Sequence, residues 1–238
     1  MPVGLQLLSA DGITPLVIDT THKAARVAAR PMELGPNGSA FKLSINSGIM
    51  AAGLAANSEI FQMRWVHATF KMILRRLDIS AWRASATAFA AGQLLFRATA
   101  ARSFTVDGGA GTPIVMSTAN TNKKRTDFPP SKFSDTGIRR SDTAALTGGT
   151  KTFDTNDFGT VGGFTGVTAP AAGVDVSPQL IESRAILYMR EAPDAYPFLF
   201  ETNEGFAVRA TVPATGTWHF GINVEWAEID PSEVSGWT

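Results

Sequence analysis

The side chains best suited to metal chemistry are sparse in this sequence. His22, His67 and His219 are its three histidines, and it has no cysteine. The histidines lie far apart and form no HxH, HExxH or HxxE motif. The lack of cysteine excludes disulfides, iron–sulfur clusters and a thiolate nucleophile. The sequence therefore predicts no cofactor and no local metal site.

The remaining reactive side chains do not form a recognisable catalytic motif. Two carboxylate pairs, Asp154/Asp157 and Glu225/Glu228, could act as acid and base or bind a cation. The first pair lacks the glycine and the distal glutamate of a calcium loop, and the sequence has no Gly-x-Ser-x-Gly elbow. The glycines of residues 107–111 lack the Lys-Ser/Thr of a phosphate-binding loop. We interpret these groups as turn glycines and solvated carboxylates, and we predict no enzyme.

Basic residues form two short groups that could contact a partner. Their members are Lys123, Lys124 and Arg125 in the first and Arg139 and Arg140 in the second. The chain has 21 Lys+Arg and 21 Asp+Glu, and no aromatic residues alternate with these cations. Because the chain has no net charge, specific binding to nucleic acid is not expected. The two groups are therefore predicted to contact protein.

Length indicates one large domain or two small ones, and composition favours assembly. The chain has 238 residues, of which 44% are hydrophobic and 18% charged, which suffices for a core without disulfide or metal support. A neutral surface can pack against other proteins without desolvating many charges. The N-terminus lacks the features of a secretory signal, and the apolar run at 49–56 is too short to cross a bilayer. We expect a chain that stays in the cytoplasm where it is made and does not bind membranes.

The C-terminal part has the clearest strand pattern. Period-two alternation predicts strands at 186–189, 198–200, 205–212 and 217–226. Residues 213–216, with Pro and Gly, are predicted to close a hairpin between the last two strands. In the last strand, one face carries only large apolar residues and is predicted to lie in the core: Trp218, Phe220, Ile222, Val224 and Trp226.

Residues 70–83 fit neither a strand nor a helix without a break. Phe70, Met72 and Leu74 share one face at period two, and alternation resumes beyond residues 75–76. A β-bulge at that point would restore one continuous strand. We therefore favour a bulged strand, with a helix over 70–80 as the alternative.

The N-terminal part is predicted to combine an arm with a hairpin. Residues 1–22 have mixed character and turn signals, which is typical of an arm ordered by a neighbour. The runs 24–32 and 41–45, separated by turn residues, predict a hairpin from which Arg26 and Arg30 project.

Gly, Pro and Asn punctuate residues 107–178 so often that only short strands such as 114–116 fit. A stretch of this length is expected to wrap a surface or make contacts. The sequence thus predicts an all-β antiparallel sandwich or barrel, jelly-roll-like, with a long turn-rich insertion. Residues 1–22 form the arm and residues 23–238 the single β domain, with the insertion at 107–178.

Several stretches resemble a group of small virion structural proteins of tailed bacteriophages. They are residues 57–65, 101–105, 140–150 and, most extensively, 203–218. The resemblance implies a structural component of the particle and supplies no catalytic residue.

Together, the neutral composition and the resemblance predict a capsid decoration or cement protein that resides in the virion. Its partners would be the major capsid protein or other virion proteins, and it would form a homo-oligomer, a trimer or dimer. Two regions are predicted to make the contacts, the arm region through Leu16, Val17, Ile18, Arg26 and Arg30, and the insertion through Lys123, Lys124, Arg125, Arg139 and Arg140.

The main alternative is a fibre or receptor-binding module that recognises a host surface glycan. Exposed aromatic rings stack well on sugars, and the candidate rings in this sequence are Tyr196, Phe198 and Trp237. A hydrolase on a β-sandwich scaffold is the least favoured interpretation, because no nucleophile or acid–base pair is recognisable.

Overall fold

A computed structural model describes residues 37–83, 90–118, 122–165, 185–190 and 196–233, with the backbone pairing of 18–19 and 24–25. The chain divides into two compact units, residues 1–32 and 33–238. In the first, β1 (Ile18–Asp19) pairs antiparallel with β2 (Ala24–Ala25). The predicted boundary after residue 22 stays a prediction.

The second unit is built from strands, and no α-helix occurs among its described residues. The strands are β3 (Ser39–Asn46), β4 (Ser58–Trp65), β5 (Lys71–Arg83), β6 (Gly92–Val106), β7 (Thr112–Pro113), β8 (Ile138–Arg140), β9 (Thr150–Phe153), β10 (Gly159–Thr165), β11 (Ala185–Met189), β12 (Phe198–Phe200), β13 (Glu204–Thr211) and β14 (Trp218–Ile229).

These strands form two packed antiparallel sheets, which do not close into a barrel within the part of the chain that the structure describes. Sheet one has the order β10-β6-β13-β4, extended by β8 and β7, with β9 also paired to β6. Sheet two has the order β11-β5-β14-β3, with β12 also paired to β5. From β3 to β6 the chain alternates between the sheets. β13 then lies between β4 and β6 in sheet one, and β14 lies between β3 and β5 in sheet two. This is the strand order of a jelly roll, so the predicted jelly-roll-like sandwich is confirmed.

The last strand has the buried face that its alternation predicts. β14 lies at the centre of sheet two, between β5 and β3. All five predicted side chains belong to the core between the sheets: Trp218, Phe220, Ile222, Val224 and Trp226. Each fully buried side chain of this size contributes about 2 kcal/mol.

The predicted bulge in β5 is confirmed, and the alternative helix is wrong. Glu225 on β14 pairs with Arg76, whereas the next residue, Trp226, pairs with Leu74. Arg75 is therefore the extra residue of a bulge. The bulge restores alternation, so that Leu74 and Leu77 both enter the core.

Two local predictions are wrong. Residues 213–216 do not close a hairpin, because β13 lies in sheet one and β14 in sheet two. The same turn chemistry suits a connection that crosses between packed sheets. The short strand expected at 114–116 lies instead at Thr112–Pro113. The predicted hairpin between 24–32 and 41–45 stays a prediction, because most of the first run lies outside the described residues; Ala24–Ala25 pairs with β1, and β3 pairs with β14.

The first part of the turn-rich insertion, up to β8, covers one open side of the sandwich. Later in the insertion, β9 and the seven-residue β10 pair with β6 of sheet one, so the expectation that only short strands fit in 107–178 is wrong. β8 pairs with β4 at the edge of sheet one. Lys123 forms a β-bridge with Phe41 at the edge of sheet two. Covered edges cannot pair with strands of other chains, so the insertion protects the two edge strands on this side.

Two aromatic residues anchor the insertion on this side. Phe133 enters the core, with its ring centroid 4.9 Å from Trp65 and 5.6 Å from Trp226. Phe128 packs on the outer face of sheet two, in a small buried cluster with Ile73 and Ile229. The insertion is therefore part of the packed structure on both faces of sheet two.

Candidate functional site

The predicted contact residues of the arm region fall largely outside the described residues. Leu16, Val17, Arg26 and Arg30 are not described, and Ile18 lies in β1 with its backbone paired. Their role in contacts stays a prediction.

The first basic group makes contacts within the chain. Lys123 Nζ donates to the carbonyl of Phe128 at 2.7 Å. Lys124 Nζ lies 2.5 Å from a carboxylate oxygen of Glu225, and Arg125 pairs with Asp127 at 2.6 Å. Lys124 and Arg125 remain partly exposed. These bonds order the cations on the outer surface, where a partner could still reach two of them.

The second basic group holds the insertion against the sandwich edges. Arg139 donates to the carbonyl of Ala110 at 3.0 Å, and Arg140 donates to the carbonyl of Asn46 at 2.9 Å. Arg140 thus links sheet one to the end of β3. Both guanidinium groups stabilise the packing of the insertion, a role that the sequence pattern did not predict.

The interpretation of the four acidic residues as solvated groups is wrong for Glu228. Its carboxylate is buried and accepts hydrogen bonds from Ser131 Oγ at 2.5 Å, Lys132 N at 2.8 Å and Trp226 Nε1 at 3.0 Å. Burial raises the pKa of Glu228, although these hydrogen bonds oppose the change. The carboxylate fastens the insertion to β14, next to Phe133.

A second buried polar cluster lies on the outer face of sheet one, and we define it as the lysine cluster: Glu59, Gln62 and Lys151. Lys151 Nζ lies 2.5 Å from Glu59 Oε2 and 3.3 Å from Gln62 Oε1. The Lys151 and Glu59 side chains are 3% and 10% exposed, and Gln62 is fully buried. The cluster therefore places an amine, a carboxyl group and a carboxamide together, away from water.

Burial favours the neutral forms of the two titratable groups in the lysine cluster. Burial lowers the pKa of Lys151 and raises the pKa of Glu59, although their mutual attraction opposes both changes. The Lys151 ammonium lies 4.6 Å from the ring centre of Phe104 and 5.5 Å from that of Phe153. These rings exclude water from one side of the amine. An amine that is easily deprotonated beside a carboxyl that is easily protonated can exchange a proton over a short distance.

A loop that follows β6 closes over Gln62. Gly108 N donates to Gln62 Oε1 at 3.2 Å. A Cβ at Gly108 would lie 2.2 Å from the Thr147 carbonyl oxygen and 2.7 Å from Gln62 Oε1, so only glycine allows this approach. Asp107 fixes the loop, because it accepts two hydrogen bonds from Arg64, at 2.6 and 2.9 Å.

Sequence analysis did not identify the lysine cluster. Glu59 and Lys151 lie 92 positions apart, and pairing of β9 with the bulged end of β6 brings Lys151 over β4. One local signal exists: Gln62 stands between Phe61 and Met63 in a strand whose other residues are mostly buried.

The described histidines have structural partners. His67 Nδ1 accepts a hydrogen bond from Phe70 N at 3.1 Å, and burial lowers the pKa of His67. His219 stacks on Trp82, with ring centroids 5.4 Å apart. Within the described part of the chain, no three His, Cys, Asp or Glu side chains come together to hold a metal ion.

No described helix has the length and hydropathy that crossing a bilayer requires. Comparison with protein-family models, with curated proteins and with solved structures found no match to this chain.

Proposed function

We propose that this chain is a structural component of a bacteriophage particle, a capsid decoration or cement protein. The observation that carries the proposal is the jelly-roll strand order with one open side covered by an ordered insertion. Jelly rolls recur in viral capsid and lectin domains. The fold supports the proposal by analogy, and the resemblance of residues 203–218 to phage virion proteins supports it independently.

The partly exposed cations of the insertion are the proposed capsid-binding surface. Lys124 and Arg125 are held at the surface by Glu225 and Asp127. Cations that are already ordered lose little side-chain entropy on binding. We propose that they meet an acidic patch of the major capsid protein, with the arm as a second contact and a dimer or trimer as the binding unit.

Binding to phage heads assembled without this chain tests the proposal. The purified chain should co-sediment with the heads and saturate, and the double variant Lys124→Ala/Arg125→Ala should bind less. Arg102→Ala is a matched control, because Arg102 is also exposed and paired but lies on sheet one. Deletion of residues 1–22 should leave the domain folded and abolish binding. A wild-type chain that stays in the supernatant would contradict the proposal.

A second candidate function is glycan binding, favoured by an aromatic pair on the outer face of sheet two. Trp82 is 36% exposed and stacks on His219. A Cβ at Gly221 would lie 3.1 Å from Trp82 Cζ3, 2.5 Å from Ser80 Oγ and 3.4 Å from Asn46 Oδ1. Gly221 therefore lets the indole and two neutral polar groups pack closely over the strand, and the exposed part of the indole suits the C–H face of a sugar.

The aromatic residues that the sequence suggested for this role are placed less favourably. Tyr196 is fully exposed, Phe198 packs against Phe158 at 4.6 Å, and Trp237 lies outside the described residues. A glycan array separates the two functions. Glycan binding predicts a signal that is lost in Trp82→Ala and kept in Tyr196→Ala, whereas a cement protein gives no signal.

A further inference from the structure

We propose that Lys151 and Gln62 are joined by an intramolecular isopeptide bond that forms without an enzyme after folding, with Glu59 as the proton carrier. The bond would tie β9 of the insertion to β4 of sheet one. The proposal rests on the lysine cluster alone and does not depend on the capsid role.

The amine and the carboxamide are close and protected from water. Lys151 Nζ lies 3.3 Å from Gln62 Oε1. Because a C=O bond is about 1.23 Å long, Gln62 Cδ lies within about 4.5 Å of Nζ. Both side chains are buried. Holding reactants in this way converts an improbable encounter into an intramolecular step.

Lys151 has the environment of a nucleophile. Only the neutral amine can attack a carbonyl carbon, and desolvation of a lysine in an apolar pocket favours that form. Glu59 Oε2, at 2.5 Å from Nζ, is placed to accept the proton. Burial raises the pKa of Glu59, so this carboxyl can hold the proton and pass it on.

Gln62 has the environment of an electrophile. Gly108 N donates to Gln62 Oε1 at 3.2 Å. This backbone N–H polarises the carbonyl and would stabilise the oxyanion of a tetrahedral intermediate. Gln62 Nε2 is buried and has no hydrogen-bond partner among the described residues. Departure of this nitrogen therefore breaks no hydrogen bond.

The step balances without an oxidant or co-reactant. The Lys151 Nζ lone pair attacks Gln62 Cδ, and Glu59 takes one proton from Nζ. Glu59 then gives that proton to Nε2, the Cδ–Nε2 bond breaks, and ammonia leaves. The product is a secondary amide between Nζ and Cδ, with Glu59 returned to its initial state. The chain loses about 17 Da, the mass of ammonia.

Mass spectrometry of the full, purified chain tests the proposal directly. A proteolytic digest should contain a branched peptide that joins the segments around residues 62 and 151, about 17 Da lighter than the sum of the two. The wild-type digest is sufficient, so the test does not require a variant that folds. Two unlinked peptides of unchanged mass would overturn the proposal.

Two variants and an alternative product sharpen the test. Glu59→Gln should leave the two peptides unlinked, and a branched peptide in that variant would overturn the role of Glu59. Lys71→Arg is the control, because Lys71 forms a surface pair with Glu201, and it should keep the link. A loss of about 18 Da, the mass of water, would place the amide on Glu59 instead and overturn the assignment to Gln62.

Discussion

The two open sides of the sandwich are closed by different means. On the β3/β4 side, the insertion pairs with both edge strands and inserts Phe133 between Trp65 and Trp226. On the β10/β11 side, an aromatic group led by Phe158 fills the gap between the sheets. There β11 carries large apolar side chains that remain 46% exposed, Ile186 and Met189.

The difference shows how a segment without long strands becomes rigid. Between β8 and β9 the insertion forms no strand, and individual side chains hold this part and its flanks in place. Glu228 binds the backbone and side chain of residues 131–132, and Arg140 binds the end of β3. Buried polar groups with satisfied hydrogen bonds specify one arrangement. The β3/β4 side is therefore expected to contribute more to stability than the exposed side chains of β11.

The largest effect on the unfolding free energy is expected from substitution of Phe133. Phe133→Ala removes an aromatic ring from the core and leaves a cavity, which costs about 3–5 kcal/mol of unfolding free energy. Urea denaturation measures this loss. Phe128→Ala, in the smaller outer cluster, is the comparison and should cost less. A loss below about 1 kcal/mol for Phe133→Ala would mean that the insertion is not part of the core.

Substitution of Glu228 is expected to have an intermediate effect on the unfolding free energy, and that effect depends on pH. Burial raises the pKa of Glu228 above 4.5, so its contribution to stability is complete below that pH and decreases as pH rises through the folded-state pKa. The unfolding free energy of wild type minus that of Glu228→Gln should therefore fall as pH rises, by at most about 1.4 kcal/mol per pH unit.

Glu225, three positions earlier on the same strand, provides the opposite control. Burial would raise its pKa, but Lys124 and Lys42 outweigh burial and hold the pKa of Glu225 below 4.5. Its contribution is lost as pH falls through that lower pKa. The difference between wild type and Glu225→Gln should rise with pH in the acid range. Equal slopes for the two variants would contradict both assignments.

A small effect on stability is expected at Lys124. Its pair with Glu225 lies at the surface, and such pairs contribute about 0–1 kcal/mol. Lys124→Ala should therefore lower the unfolding free energy by no more than that amount. A loss above about 2 kcal/mol would make Lys124 a structural residue and weaken its proposed role in capsid binding.

The smallest effect is expected at Tyr196, which precedes β12 and is fully exposed. Tyr196→Ala should change the unfolding free energy by less than about 0.5 kcal/mol. Comparison of this variant with Phe133→Ala measures how differently an exposed and a buried aromatic side chain contribute to the unfolding free energy. A loss similar to that of Phe133→Ala would remove the distinction between the two regions.

The sequence predicted the elements that depend on local patterns. Alternation in β14 identified its buried face, and the break at residues 75–76 identified the bulge in β5. It could not predict which sheet a strand joins. Residues 213–216 contain turn residues, and turn chemistry alone does not distinguish a hairpin from a crossing between sheets.

The candidate sites were harder to predict, because their residues come from distant parts of the chain. The basic residues of the insertion were noticed as groups, but their partners, such as Asn46 for Arg140, lie far away in sequence. The lysine cluster has no spacing motif, since β-sheet pairing alone brings Lys151 to Glu59. Burial of Glu228 depends on a loop about a hundred residues earlier, which strand alternation does not reveal.

The most direct test of the proposed particle role is the copy number of this chain in purified virions, measured by quantitative mass spectrometry against the major capsid protein. Decoration of the lattice predicts hundreds of copies per particle. A dozen or fewer would indicate a tail or vertex component and contradict the decoration role, and complete absence would contradict any structural role in the particle.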